Sequence, residues 1–197
     1  MAATDIEICS NALILIGDNP ISSFASNQGQ RADVASNLYP NIRNAILRSH
    51  PWNSCRKRVQ LAPLATAPAY EWAYQMQLPA DFLRLVQIGQ ENETIFYEIE
   101  DGKILTNETN IKLKYIYRNE VVSTYDGLLT KALIEACAHD FAYPLAKSQA
   151  LKDGIMAKLN QTLQMARTVN GQEKLSESMG DEGLYRSRFT TTGGSSF

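Results

Sequence analysis

The chain has 197 residues, of which 44% are hydrophobic and 20% charged, and it carries a formal net charge of -2. This length supports one sizeable core, or one main domain with a smaller insertion, and no apolar run reaches the roughly 18 to 20 residues of a membrane span. The weakly acidic balance argues against a protein whose main task is to hold nucleic acid by neutralising phosphates.

The N-terminus and the cysteines indicate the compartment. The first residues lack the basic start and the apolar stretch of a secretory signal, so we expect synthesis in a cytoplasm. Cys9, Cys55 and Cys137 are widely spaced and form no CxxC or Cys/His ligand pattern. Such cysteines are typical of buried, reduced thiols rather than of disulfides or zinc sites.

Two helical patterns occupy the first part of the chain, residues 1–54. Thr4 and Glu7 have the spacing of a capping box, and the first helix is predicted to end at Gly17. The second helix contains Pro40, where we expect a kink rather than an end. The apolar residues at helical spacing are Ile6, Cys9, Leu13 and Ile16, followed by Val34, Leu38, Ile42 and Ile46.

Residues 55–119 show a period near 2, which is typical of β-strands. The Asp101-Gly102 pair is a two-residue hairpin signal between two such strands. We expect five or six short strands in one antiparallel sheet, with Trp72 in the interior of the β-domain. The residues predicted to form a large buried face on one strand are Tyr70, Trp72, Tyr74, Met76 and Leu78.

Helical spacing returns in residues 120–170. Pro144 is predicted to end or bend the third helix, and Ser148 is a candidate N-cap for the fourth. The apolar residues are Leu133, Ile134, Cys137, Phe141 and Leu145 in the third helix, and Leu151, Ile155, Leu159, Thr162, Ala166 and Val169 in the fourth.

These patterns predict an α+β protein. Because the four helices carry apolar stripes that need one another, we expect a four-helix bundle formed by residues 1–54 and 120–170. The antiparallel β-domain, residues 55–119, is inserted between the second and third helices. Residues 171–197 have no apolar stripe and are predicted to form an extended C-terminal tail.

The sequence offers few groups for catalysis, and we predict no catalytic, cofactor or metal site. His50 and His139 are the only histidines, and no second histidine lies near His139-Asp140 to complete a metal site. Cys137 and His139 are two positions apart on a helix, so they point to different faces and form no nucleophile–base pair. No glycine-rich phosphate loop is present.

Carboxylates of the β-domain are the alternative catalytic candidates. A pair of carboxylates can hydrolyse a glycosidic bond, and Glu98 and Glu100 share one strand face. The competing interpretation is a solvated polar face opposite Tyr97 and Ile99. The carboxylates considered are Glu71, Asp81, Glu98 and Glu100.

One basic cluster surrounds Trp52. Basic residues interleaved with an aromatic residue can bind a nucleic-acid strand. More often such a run is a solvated edge at the junction between a helix and a sheet, with the tryptophan buried beneath it. We expect the second arrangement, with Trp52 at that junction. The basic residues are Arg48, Arg56, Lys57 and Arg58.

Several stretches together resemble a known family. They are "LRSHPWNSCRKRVQLAPL", "YEWAYQMQLPADFLRLVQI", and "LKYIYRN" leading to the helix that contains "FAYPLAKS". The combination is similar to the tail tubular protein A family of short-tailed phages, the head-to-tail adaptors beneath the portal. The resemblance covers about residues 5–185.

The resemblance implies a structural, non-enzymatic virion component of the phage tail, made in the bacterial host cytoplasm. It implies a homo-oligomeric twelve-fold ring that contacts the portal protein on one side and the nozzle, tail tubular protein B, on the other. DNA would pass through its central channel during ejection without sequence-specific binding. No reaction, cofactor or membrane is implied. The alternative from another class is a virion-associated peptidoglycan hydrolase that uses β-domain carboxylates.

The C-terminal tail is the predicted portal-binding segment. Leu184, Tyr185 and Phe189 are its large apolar side chains, and they can fill pockets on a partner. Arg186 and Arg188 lie between them and can pair with carboxylates at the rim of such pockets. The partner is predicted to be the portal or an adjacent subunit.

Overall fold

The computed structural model describes residues 4–25, 29–90 and 93–173. Over these ranges two helices are followed by six strands and then by two more helices. The α+β class is therefore confirmed, because the strands form one consecutive block rather than alternating with helices. The helices are α1 (Asp5–Leu15), α2 (Gln30–Ser49), α3 (Gly127–Phe141) and α4 (Gln149–Gln172).

The predicted helix starts are present. Thr4 and Glu7 form a reciprocal capping box, in which Thr4 Oγ1 accepts from the Glu7 amide at 3.2 Å and Glu7 Oε2 accepts from the Thr4 amide at 2.9 Å. The hydroxyl of Ser148 accepts from the Leu151 amide at the start of α4. These bonds satisfy amide groups that have no partner inside the helix.

The two prolines in helical regions have different outcomes. Pro40 lies inside α2, which continues on both sides of it, so this proline does not end the helix. Pro144 lies in a turn of π-helix, Ala142–Ala146, that directly follows α3. Lys147 then adopts the left-handed conformation with φ of 50°, which separates α3 from α4.

The six strands form two sheets, whereas the sequence predicted one. The first sheet has the antiparallel order β1-β6-β3 and the second the antiparallel order β2-β5-β4. β4 and β5 form the predicted hairpin around Asp101-Gly102. The strands are β1 (Arg56–Leu61), β2 (Tyr74–Gln77), β3 (Phe82–Ile88), β4 (Tyr97–Glu100), β5 (Lys103–Thr106) and β6 (Ile111–Tyr117).

The two sheets share a small apolar core and form a β-sandwich. Met76 and Ile104 from the second sheet are fully buried in this core together with Ile111 and Leu113 from the first. On one side the sandwich is closed by hydrogen bonds, since the Leu64 amide beyond β1 donates to the carbonyl of Gln75 in β2 at 2.8 Å.

The predicted buried aromatic face of residues 70–78 is wrong in its first half. β2 begins only at Tyr74, and Tyr70 is 80% exposed. Trp72 is half-buried and belongs to neither apolar core, so it does not lie in the interior of the β-domain. Only Met76 and Leu78 are buried as predicted.

All four helices contribute to the main core. α3 packs against α1, α2 and α4 and is the central helix of the group. Ile116 of β6 belongs to the same core, and Leu83 and Val86 of β3 pack against it, so the first sheet rests on the helices. The largest fully buried side chains of this core are Ile8, Leu13, Leu47, Trp52, Ile116, Leu129, Leu133 and Phe141.

The three cysteines are buried and unpaired, as predicted. A hydrogen bond with Cys9 and burial raise the pKa of the Cys137 thiol well above its usual range, so this thiol is not activated as a nucleophile. Among the described helices, none has the length and apolar character needed to cross a bilayer.

Candidate interaction surfaces

Trp52 lies at the junction between the helices and the first sheet, as predicted. Its side chain is fully buried, and the indole Nε1 donates to the carbonyl of Ile46 in α2 at 3.0 Å. The ring of His50 contacts it edge-on, with 4.7 Å between the ring centroids. The aromatic residue therefore fixes the chain as it leaves α2 and enters β1.

Asn170 connects the end of α4 to this junction. Its side-chain oxygen accepts from the Asn53 amide at 2.8 Å, and its Nδ2 lies 3.0 Å from Nε2 of His50. The side chain of Asn53 in turn donates to the Asn170 carbonyl at 3.0 Å. His50, one of the two histidines considered for catalysis, thus serves to hold α4 against the segment after α2.

Asn119 connects the segment that follows β6 to the segment that precedes β1 by hydrogen bonds. It is fully buried, and its Nδ2 donates to the Ser54 carbonyl at 3.1 Å and to Thr124 Oγ1 at 2.7 Å. Its Oδ1 accepts from the Val121 amide at 3.0 Å. A buried amide with all these bonds rigidifies the connection between the sheet and α3.

Asp81 links all three strands of the first sheet. Its carboxylate accepts from Lys57 Nζ at 2.6 Å and from the Tyr115 hydroxyl at 2.9 Å, and its carbonyl accepts from the Arg118 amide at 2.7 Å. Burial and the bond to Asp81 raise the pKa of Tyr115 to about 12. These bonds give Asp81 a structural role in the first sheet.

Three of the stretches that carry the family resemblance are hydrogen-bonded to one another. Trp52 comes from the "HPW" stretch, Asp81 from "LPADFLR", and Tyr115 and Asn119 from "LKYIYRN". Together with the contact between Asn53 and Asn170, they connect α2, α4 and the first sheet into one hydrogen-bonded and packed unit, which we call the joint. The joint fixes how the helices and the sandwich are oriented relative to each other.

The predicted basic cluster does not form one surface. A guanidinium nitrogen of Arg48 donates to the Leu83 carbonyl, and Arg56 donates to the Pro51 carbonyl at 2.8 and 3.1 Å. Lys57 is paired with Asp81, as described above. Three of the four cations thus bond to neighbouring groups of the protein, and Arg58 lies exposed on β1.

Arg58 instead belongs to a basic face of the first sheet. It lies directly opposite Lys114 in the β1–β6 register, and Lys112 is two residues away on the same face. Lys114 Nζ donates to Gln87 Oε1 on β3 at 2.7 Å. Sequence reasoning missed Lys112 and Lys114, because their proximity to Arg58 follows from strand register and not from spacing along the chain.

The candidate catalytic carboxylates are distributed over both sheets, although Glu98 and Glu100 share a strand face. Glu98 and Glu100 lie exposed on β4 of the second sheet, and Glu71 lies exposed before β2 with φ of 71°. Glu98 accepts a long hydrogen bond of 3.4 Å from the Trp72 indole. Within the described ranges, no three His, Cys, Asp or Glu side chains form a group that can hold a metal ion.

His139 also has a local role. Its Nδ1 lies 2.7 Å from Oδ1 of Asp140, the next residue in the chain. The contact is between neighbours near the end of α3, and it brings no third group into position. A single pair of this kind does not form a catalytic or metal-binding set.

One groove opens between the edges of the two sheets. β3 is an edge strand of the first sheet and β4 an edge strand of the second, and both line a groove of about 570 Å³, which we call the edge groove. Its apolar walls include Leu78, Phe82, Leu85, Tyr97 and Ile99, with Arg48 and Arg84 among the other lining residues.

A second groove, of about 550 Å³, lies on the helices between α1, α3 and α4. Ile14 and Met165 on its walls are 55% and 51% exposed. Glu135 also lines it and is only 6% exposed, yet its Oε2 has no hydrogen-bond partner among the described residues. Lys131 Nζ reaches the other oxygen of Glu135 only at 4.0 Å.

The predicted portal-binding residues lie outside the described residues. These are Leu184, Tyr185, Arg186, Arg188 and Phe189. α4 continues to Gln172, slightly beyond the predicted limit of the fourth helix. Comparison with known proteins finds no matching family model and no similar curated protein.

Proposed function

We propose that the protein is a structural head-to-tail adaptor of a short-tailed phage. It forms a ring between the portal and the tail nozzle and continues the DNA channel, and it resides in the tail of the virion. The finer architecture that accompanies this function is a four-helix bundle with the β-sandwich inserted between its second and third helices. The proposal starts from the resemblance in residues 5–185.

The joint is the observation that carries the proposal. The resembling stretches supply buried packing and hydrogen bonds, such as those of Trp52, Asn53 and Asn119. A ring component needs this kind of rigidity, because surfaces on its helical part and on its sandwich must meet different neighbours at fixed relative positions. The residues that resemble the adaptor family thus have the role that an adaptor requires.

A closed ring also needs two different surfaces on each subunit. In a cyclic assembly one patch of a subunit contacts another patch of the next, so the contacts are heterologous. The groove on the helices and the edge groove between the two sheets are two such partly apolar surfaces, formed by different elements of the fold. Exposed apolar residues around both grooves, including Ile14, Met165 and Tyr97, are suited to contacts between subunits.

Native mass spectrometry and electron microscopy of the protein mixed with portal and nozzle proteins test the proposal. We expect a ring, with twelve subunits by analogy with the resembling family, that bridges the two partners. A chain that remains monomeric when both partners are present contradicts the adaptor function. A monomer in isolation does not bear on it, since ring closure can require the portal.

A turbidity assay on peptidoglycan separates the adaptor from the hydrolase alternative. We expect no loss of turbidity with the purified protein. Lysis that disappears in a folded Glu98→Gln variant contradicts a purely structural role. Deleting residues 181–197 tests the portal contact predicted for the tail, because the shortened subunit is expected to fold but to lose portal docking.

A further inference from the structure

β4 has an unpaired edge that is open to a further strand. It pairs only with β5, so the N–H and C=O groups of every second residue point away from the sheet. Both faces of β4 are also exposed, and Tyr97 and Ile99 are 39% and 42% accessible. An exposed apolar edge of this kind is a template for pairing with another segment.

The β3–β4 side of the sandwich is more open to an added strand than the β1–β2 side. At the β1–β2 side, residues 62–66 close the gap, with Leu64 bonded to Gln75 and the Gln75 side chain donating to the Thr66 carbonyl at 2.7 Å. At the β3–β4 side, the edge groove separates the two sheets instead. An added strand on β4 would place every second side chain in this groove.

The outward face of β4 carries negative charge that no cation of the described residues pairs with. Glu98 and Glu100 alternate with Tyr97 and Ile99, so their carboxylates lie on one face. The described residues provide neither carboxylate with an ion pair, and Lys103 opposite Glu100 pairs with Asp101 at 2.7 Å. A strand that carries two cations at the same spacing would match this face.

Residues 184–192, "LYRSRFTTT", have the complementary pattern. Arg186 and Arg188 are two residues apart, as Glu98 and Glu100 are, and they alternate with the aromatic residues Tyr185 and Phe189. In an extended conformation the arginines lie on one face and the aromatic residues on the other. Thr190 to Thr192 are β-branched and are suited to a strand.

The described end of the chain is hydrogen-bonded to the segment that follows α2, the helix whose last turn reaches the edge groove. Glu173 Oε2 accepts from the Asn53 side chain at 3.1 Å, in the connection between α2 and β1, and Arg48 from the last turn of α2 lines the edge groove. Residues 174–183 can span at most about 35 Å when fully extended. So short a tether gives a segment in the same chain an effective concentration of about millimolar order, which favours it over a separate molecule.

We propose that residues 184–192 of the same chain bind the unpaired edge of β4 as an additional strand. Arg186 and Arg188 pair with Glu98 and Glu100, and Tyr185 and Phe189 enter the edge groove beside Tyr97 and Ile99. The added strand covers the exposed edge and extends the second sheet from three to four strands. This binding competes with the portal contact predicted for the same residues and does not depend on the adaptor function.

Disulfide crosslinking in the full-length chain tests the proposal. Glu98→Cys is combined with Arg186→Cys in one variant and with Arg188→Cys in another, while the native cysteines are buried and remain unchanged. Under mild oxidation we expect at least one variant to form an intrachain disulfide, seen by intact-mass spectrometry of the monomer. The control combines Arg186→Cys with Lys112→Cys, which lies exposed on β6 of the other sheet.

Each outcome of the crosslinking decides the proposal. An intrachain disulfide formed at least tenfold faster than in the control supports it. Disulfide-linked dimers instead assign the edge of β4 to a second copy and overturn binding within one chain. Crosslinking no faster than in the control overturns strand addition altogether.

A charge-reversal series provides a second measurement without cysteines. Glu98→Lys combined with Glu100→Lys is expected to accelerate chymotrypsin cleavage after Tyr185 at least tenfold, because the strand is repelled from β4. Adding Arg186→Glu and Arg188→Glu restores opposite charges and is expected to restore slow cleavage. Equal cleavage rates in the original chain and in the first variant overturn the proposal.

Discussion

Lys57 and Asp81 form an ion pair of 2.6 Å that connects β1 to the turn before β3. Lys57 Nζ also lies 3.9 Å from the centroid of the Tyr117 ring on β6. Lys57, which lies on β1, thus contacts both β6 and the turn before β3. This arrangement makes the pair part of the joint rather than an isolated surface contact.

The pair predicts an acid-sensitive contribution to stability. Burial raises the pKa of the Asp81 carboxyl, but hydrogen bonds from Lys57 and Tyr115 and the charge of Lys57 outweigh burial and lower it below its usual value. The pKa is therefore lower in the folded than in the unfolded state. The contribution is complete above the unfolded pKa of about 3.9 and is lost as the pH falls through the folded pKa.

Asp81→Asn tests this contribution. We expect the free energy of unfolding at pH 7 to fall by about 1 kcal/mol, and the difference from the original chain to shrink below about pH 4. Urea unfolding across this pH range measures both effects. Asp101→Asn is the matched control, because Asp101 is also paired with a lysine but is 89% exposed, and its effect should be smaller. A pH-independent loss for Asp81→Asn contradicts the prediction.

The two tryptophans are expected to differ strongly in their contribution to stability. Trp52 is fully buried and bonded to Ile46, so Trp52→Ala should cost about 3 to 5 kcal/mol. Trp72 is half-buried and its indole makes a long 3.4 Å contact to Glu98, so Trp72→Ala should cost less than about 1 kcal/mol. Denaturant unfolding distinguishes them, and Trp52→Phe serves if the alanine variant does not fold. Similar losses at both positions contradict the described burial.

The local features of the fold were predictable from the sequence. The capping box of Thr4 and Glu7 and the hairpin at Asp101-Gly102 depend on residues three or fewer positions apart. Their chemistry acts within one turn of chain, so spacing alone identifies them. The buried stripes of the helices were identified for the same reason, because period 3.6 is a local property.

The error in residues 70–78 has a local physical cause that alternation does not reveal. Glu71 adopts φ of 71°, a conformation that a strand does not contain. The Trp72 amide then bonds to the Tyr70 carbonyl at 2.8 Å, which tightens the chain instead of extending it. The large residues at every second position therefore have the sequence pattern of a strand, although the backbone turns at this point.

The candidate surfaces were less predictable than the elements, because they depend on register and on sheet packing. The separation of Arg58 from Arg48 and Arg56 follows from which cations bond to nearby carbonyls. The division into two sheets, and hence the edge groove, follows from β6 pairing with both β1 and β3. Neither relationship can be read from spacing along the chain.

The buried carboxylate of Glu135 predicts a stabilising substitution. Its Oε2 has no partner in the described part of the chain, and a buried unsatisfied polar group costs about 1 to 3 kcal/mol. Glu135→Met retains a side chain of similar length and should raise the free energy of unfolding of the isolated subunit by about 1 kcal/mol. Thermal or urea unfolding checks this, with Lys131→Met as the control for loss of the distant 4.0 Å ion pair. A loss of stability in Glu135→Met means that the carboxylate contributes favourably to the fold.

The basic face of the first sheet predicts weak, salt-dependent contact with DNA. Arg58, Lys112 and Lys114 can neutralise at most three phosphates, and each such contact contributes about -0.9 to the slope of log K against log salt concentration. Changing all three residues to Ala should therefore make that slope about 2.7 less negative for each subunit that contacts the DNA. Fluorescence anisotropy with duplex DNA over a range of salt concentrations measures the slope. Lys158→Ala, on the groove between the helices, is the control and should leave it unchanged. An unchanged slope in the triple variant means that this face does not contact DNA.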